Sequence, residues 1–140
     1  MSTDSVEVER ITHLPLAQLS WRPIDPGDPY GPEIAALWGD PSRSAFGALI
    51  KVPAGFQSPV HSHSHSEHVV QVLGRSVHWI AGDPAGSQTI LSRGDYVVIP
   101  GGVGHVSATR ATESIELITM GGPFDIDLAP ATVERGQWRV

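Results

Sequence analysis

Apolar residues along this chain fall into short stretches rather than long runs, at 45–52, 69–73, 77–81, 89–91, 96–99, 105–108 and 115–120. Between them stand PAG, GR, GDPAGS, SRGD, PGGVG and TRATES, all rich in residues that suit tight turns. Seven or more short strands at roughly 8 to 12 residue spacing are the mark of a sandwich or barrel, so an all-β antiparallel fold is predicted.

The flanks are less regular. In 11–24 the apolar residues Ile11, Leu14, Leu16, Leu19, Trp21 and Ile24 satisfy neither the helical nor the strand period, and a strand is expected around 19–22. The segment PIDPGDPYGP at 23–32 holds four prolines and two glycines and must be a loop. Residues 33–38 fit one helical turn or a short edge strand. At 129–140 a short helix and an extended tail fit equally, with Trp138 expected against the barrel wall. Residues 1–10 read as a flexible tail and 11–140 as a single domain.

Composition narrows the function classes. The formal net charge is −6, with no Lys/Arg cluster, which removes the electrostatic footprint that nucleic-acid binding needs. There is no cysteine, so disulfides and thiolate chemistry are absent. No apolar run approaches the length of a membrane span, and the acidic N-terminus does not look like a signal peptide. A soluble cytoplasmic protein without membrane or nucleic-acid partners is expected.

Histidine carries the candidate chemistry. Six of the seven histidines lie between 61 and 105, four of them in the run HSHSHSEH at 61–68. In a regular strand His61, His63, His65 and Glu67 would share one face and the intervening serines the other. Imidazole and carboxylate together suit one divalent transition metal ion, Fe, Mn, Ni, Zn, Co or Cu, better than calcium or magnesium.

The spacing also carries a resemblance. Gly55, His61, His63, Glu67 and Gly74 reproduce the first cupin motif, G-x5-H-x-H-x3-E-x6-G. Gly94, Pro100, Gly102 and His105 reproduce most of the second, G-x5-P-x-G-x2-H. Its last position, where cupins often carry asparagine, is Thr109. The chain therefore resembles a small single-domain cupin of the cupin 2 type, including the ChrR-like, anti-sigma-factor kind, over about residues 45–120. The resemblance implies a double-stranded β-helix, or jelly-roll barrel, with a metal inside. It carries over His61, His63, Glu67 and His105 as ligands, leaving two coordination positions open for water or substrate.

Other residues are placed more loosely. If the strand ends after His63, His65 sits at a loop, where it could support a ligand or carry a proton. His68 should point away from the metal, and His78 could line the pocket or face solvent. Val69 and Gln71 share the face of Glu67. Tyr96 is a pocket candidate or a core aromatic. Gly94, Gly101, Gly102 and Gly104 are expected at tight corners. Phe124, Asp125 and Asp127 read as a solvated turn, a lid or a subunit contact. Trp21, Trp38, Trp79 and Trp138 read as packing.

The resemblance implies a metal-dependent enzyme acting on a small oxygen-bearing substrate, either a dioxygenase or a metal-assisted isomerase, lyase or cyclase. A non-catalytic metal sensor or ligand-binding module is the alternative, and a metal-free sugar-binding barrel a third. A homodimer is expected from the edge strands, with its contact near Trp21 and Trp38. Neither the metal nor the substrate follows from the sequence.

Overall fold

The structure, a computed structural model, describes residues 10–129. The expectations for residues 1–9 and for Trp138 with its segment lie outside the described residues. Nine strands follow in order: β1 (Arg22–Pro23), β2 (Glu33–Gly39), β3 (Phe46–Val52), β4 (Glu67–Leu73), β5 (Ser76–Ile80), β6 (Thr89–Leu91), β7 (Tyr96–Ile99), β8 (His105–Ala108) and β9 (Ser114–Met120). A single helical turn, α1 (Pro84–Ser87), separates β5 from β6, and the Asp83 carboxylate caps it by accepting from the Gly86 N–H.

Two antiparallel sheets form the barrel. The larger runs β1-β2-β3-β9-β4-β7 and the smaller β6-β5-β8. Isolated bridges extend the smaller sheet: Gln57 pairs Ala108, His61 pairs His105, and Ser62 pairs Asp127. The all-β antiparallel fold expected from the strand spacing is the one observed, and it closes as the barrel that the motif resemblance implied.

Alternation sets which side chains enter the barrel. In β4, Glu67, Val69 and Gln71 are buried while His68 is exposed. Across the ladder Val69 faces Ile118, and Gln71 faces Glu116. One apolar cluster gathers Ile34, Phe46, Ala48, Ile50, Val69, Leu91, Ile118 and Met120. A second holds Val60, Val77, Trp79, Val106 and Ala108 under the smaller sheet. The barrel is thus dry at its walls, and polar side chains concentrate in its lumen.

Three flank expectations need correction or completion. The strand expected at 19–22 is a 3-10 turn at Leu16–Gln18 followed by the two-residue β1, because Pro15 and Pro23 bracket a stretch too short and irregular to ladder. Residues 33–38 form β2, which is not an edge, since β1 pairs with it outside. Trp38 is half exposed, with its indole laid over Gly47, whereas Trp79 is buried.

Candidate metal centre

The two histidine motifs are joined by backbone before any side chain is considered. His61 N–H donates to the His105 carbonyl at 3.0 Å, and His105 N–H returns the bond to His61 at 2.8 Å. Gly102 N–H donates to the His63 carbonyl at 2.8 Å. The Pro-x-Gly turn of the second motif is therefore laced to the His-x-His of the first.

The glycines explain the fixed spacing. Gly55, Gly74, Gly94 and Gly102 all have positive φ, from 69° to 91°. At Gly74 a side chain would also strike the Glu113 carbonyl. Thr109, the one departure from the motif, is buried; its hydroxyl accepts from Phe56 N–H at 3.0 Å and donates to the Pro53 carbonyl. It ties the 53–56 turn to the end of β8 without touching the centre.

His61, His63 and His105 converge, and their ligand atoms lie within 4.8 Å of one another. Each ring uses Nδ1 on a main-chain carbonyl: His61 on Pro59 at 2.8 Å, His63 on Asp125 at 2.6 Å, His105 on Val103 at 3.0 Å. A carbonyl only accepts, so Nδ1 carries a proton in each ring and Nε2 is the nitrogen turned away from the main chain. The Nε2 of His105 is buried without a hydrogen-bond partner among the described residues.

Burial disfavours imidazolium here. Desolvation lowers His61 to about 4, with the neighbouring His63 adding to the shift and the Pro59 carbonyl opposing it. His105 falls to about 3, again chiefly through desolvation and then through His61. Neutral imidazoles with outward lone pairs are the form that binds a metal.

Glu67, the fourth ligand that the resemblance implied, lies outside that three-histidine cluster and approaches His63 from the larger sheet. Its carboxylate lies 3.7 Å from His63 Nε2, and both side chains are buried. Two acceptors facing each other in a dry site require a proton or a cation between them. Burial, the largest influence, pushes the Glu67 carboxyl up, and the negative charge of Glu116 pushes the same way. The donor set, the unpartnered Nε2 and this facing pair all fit a divalent transition metal. The three histidines could hold one.

The other candidates fall elsewhere. The chain bends at Ser64 and His65, so the regular alternation that would place His65 beside His63 is broken, and His65 is exposed with its ring against Gly122. It is not in the cluster. Tyr96 is neither pocket nor core: it is exposed, and its hydroxyl bonds His68 Nδ1 at 2.6 Å on the outer face of the β4·β7 pair. His78 does face the lumen.

Sequence reasoning missed the segment after β9. Phe124 packs on the His63 ring at a centroid distance of 5.0 Å. The Asp125 carbonyl orients His63, while its carboxylate accepts from the N–H and hydroxyl of Ser64. These bonds hold Asp125 below the usual carboxylate range. The segment is exposed from Asp125 onward, as a solvated turn would be, and it also buttresses His63. The proline-rich loop was recognised as a loop, but not as a wall of the cavity that Ile24, Asp25 and Asp28 help to line.

That cavity measures about 530 Å³ and opens onto His61, His63, Glu67 and Glu116. Its remaining walls are largely apolar, with Ile50, Phe56 and Ile126 among them. Its size and mixed lining are those of a small-molecule site.

The chain belongs to the cupin domain family, whose match spans residues 48–121. Among solved structures it is similar to the polyketide cyclase RemF from Streptomyces resistomycificus, with a TM-score of 0.70 and 15% identity over 93% of this chain and 95% of that one. A cupin-2 domain protein from Rhodospirillum rubrum gives a TM-score of 0.69 and 17% identity over 91% and 86%. The DMSP lyase DddQ from Ruegeria pomeroyi DSS-3 gives 0.65 and 22% over 81% of this chain. The present chain spans only 62% of that lyase's length. No curated protein matches the sequence. Among the described residues no helix is long and apolar enough to cross a membrane.

Proposed function

We propose that this protein is a metal-dependent enzyme acting on a small oxygen-bearing molecule by lyase, isomerase or cyclase chemistry. One observation carries the reading: ring nitrogens of His61, His63 and His105 converge within 4.8 Å, with the His105 Nε2 buried and unpartnered among the described residues, beside a mostly apolar cavity that His61 and His63 line. His61, His63 and His105, completed by Glu67, form the ligand set. The ion would act there as a Lewis acid toward a substrate oxygen.

The chain's own contribution is orientation and dryness. Carbonyls of Pro59, Asp125 and Val103 fix the three rings, which spares the site reorganisation when substrate arrives. Phe124 and the apolar walls keep water away from the reacting oxygen. The lyase and cyclase names carried by two structural neighbours support this chemistry over oxygen activation. A homodimer belongs to the same proposal; light scattering that returns the monomer mass would reject it.

The test is made on protein purified without a histidine tag. Elemental analysis should find about one equivalent of a first-row metal. Assay of the metal-loaded protein against hydroxy- and keto-acids, phenolic polyketides and sulfonium acids should show elimination, isomerisation or ring closure without oxygen uptake. Oxygen consumption coupled to turnover would move the protein to the dioxygenases. Full metal loading with no turnover of any compound would reject the enzyme in favour of a sensor.

A further inference from the structure

Beside the three-histidine cluster lies a second polar group that the metal reading does not use. Gln71, Ser76, His78, Ser114 and Glu116 are all buried within the barrel. Their hydrogen bonds have a fixed direction. The Gln71 amide nitrogen donates to the Leu73 carbonyl at 2.8 Å and to Ser114 Oγ at 2.8 Å, which assigns its oxygen to the other side. That oxygen accepts from the Ser76 hydroxyl at 2.7 Å. With its proton committed, Ser76 Oγ must accept from His78 Nε2 at 2.9 Å.

His78 therefore carries a proton on Nε2, 3.3 Å from Glu116 Oε1. Its Nδ1 is held by Ser107 Oγ at 2.8 Å. The Nε2 proton is spent on Ser76, so the Glu116 carboxylate, though 3.3 Å from the same nitrogen, is left with its acceptor sites open. A carboxylate offers about four acceptor sites, so most of its capacity faces the cavity that it helps to line.

The charge balance of the cavity points the same way. Asp25, Asp28, Glu67 and Glu116 line it, and no lysine or arginine does so among the described residues. Lys51 is engaged outside, 3.8 Å from Glu33 and over the Trp21 ring. A bound divalent ion would offset two of the four carboxylates and leave the cavity negative. Away from the ion, an anionic group would meet the buried Glu116 carboxylate with no lysine or arginine to receive it, while Asp25 and Asp28 stand exposed at the mouth.

We infer that Glu116, positioned by His78, is a specificity-determining residue, and that the cavity selects a neutral or cationic molecule. Such a molecule presents an oxygen at the histidine cluster, an apolar body along the walls, and a hydrogen-bond donor or cationic group to Glu116. Phosphate esters and dicarboxylates are excluded. This rests on the metal-centre reading above, and the test separates the two.

The probes are benzohydroxamic acid and its 4-aminomethyl and 4-carboxy derivatives, titrated calorimetrically into zinc-loaded protein. The 4-aminomethyl compound should bind at least ~10-fold tighter than the parent, and the 4-carboxy compound at least ~10-fold weaker, the range expected of one charge-assisted contact. In Glu116→Gln, with fold and zinc content checked by circular dichroism and elemental analysis, the aminomethyl advantage should disappear while the parent's affinity holds. In Asp25→Asn with Asp28→Asn the advantage should persist, which separates Glu116 from the general acidity of the mouth. A parent hydroxamate that fails to bind overturns the metal reading and this inference with it. A parent that binds as well as both derivatives, or an advantage that survives Glu116→Gln, overturns this inference alone.

Discussion

Two neighbouring groups in the barrel use the same residue type for opposite purposes. In the cluster His61, His63 and His105 each spend Nδ1 on a main-chain carbonyl, and the Nε2 of His105 is left without a partner among the described residues. Beside it His78 satisfies both ring nitrogens, one on Ser107 and one on Ser76, the latter 3.3 Å from Glu116. What makes an imidazole a ligand here is not burial, since His78 is as buried as His105. It is the partner on the second nitrogen: a carbonyl on Nδ1 forces the lone pair outward, whereas a polar chain consumes it.

The sharpest way to break the contrast is to remove one histidine from each group. His105→Ala should lower metal affinity by more than the ~10 to 100-fold that follows loss of an outer partner. His78→Ala should leave metal content at the wild-type level. Elemental analysis after dialysis reads both. Equal loss from the two variants would erase the distinction.

Stability should rank them the other way. His78→Ala leaves the Glu116 carboxylate buried without its partner and Ser76 without its donor, at a cost of about 3 kcal/mol. Urea unfolding of the metal-free protein measures it. His105→Ala loses the bond to the Val103 carbonyl but strands no buried charge, so in the metal-free protein it should cost less than His78→Ala.

These contrasts also show how far the sequence could be read. The strands at 89–91, 96–99 and 105–108 were legible to the residue, because turn formers bound them and their apolar residues are short and regular. The meeting of His61, His63 and His105 was foreseeable from motif spacing, since four positive-φ glycines and a Pro-x-Gly turn permit few geometries. Strand alternation alone misplaced His65, for the bend at 64–65 interrupts the period of two. Tyr96 was misjudged because facing in a four-residue strand depends on register with β4, which no local pattern records. Asp125 and Phe124 were missed for a related reason. Asp125 acts on His63 through its main-chain carbonyl across 62 positions, and a carbonyl leaves no signature in residue type.

Acid should unfold the metal-free protein through the histidine cluster. In the unfolded chain His61 and His105 take up protons below about 6.5, but in the folded protein only near 4 and 3. The unfolded state therefore binds more protons in that window, and stability falls as pH drops from 6.5 toward 4. Glu67 acts in the opposite sense, because its raised pKa lets the folded state hold a proton that the unfolded chain has released above 4.5. Glu67→Gln should therefore steepen the fall. A stability profile flat between pH 6.5 and 4, followed by urea unfolding, would contradict the buried neutral imidazoles.

The smallest effects belong to the residues that the bend and the register carried outside. His65→Ala and Tyr96→Phe should each change stability by no more than about 0.5 kcal/mol and leave metal content as it was, because both side chains are exposed. Loss of metal from His65→Ala would return that residue to the ligand set.

The central claim is that three Nε2 atoms share one ion. Crystals of untagged protein soaked with zinc or nickel and measured at the metal's absorption edge test it directly. The account predicts one anomalous peak about 2.0 to 2.2 Å from Nε2 of His61, His63 and His105. A peak on the exposed His65 or His68, or bonded through Nδ1 of any of the three, would contradict it.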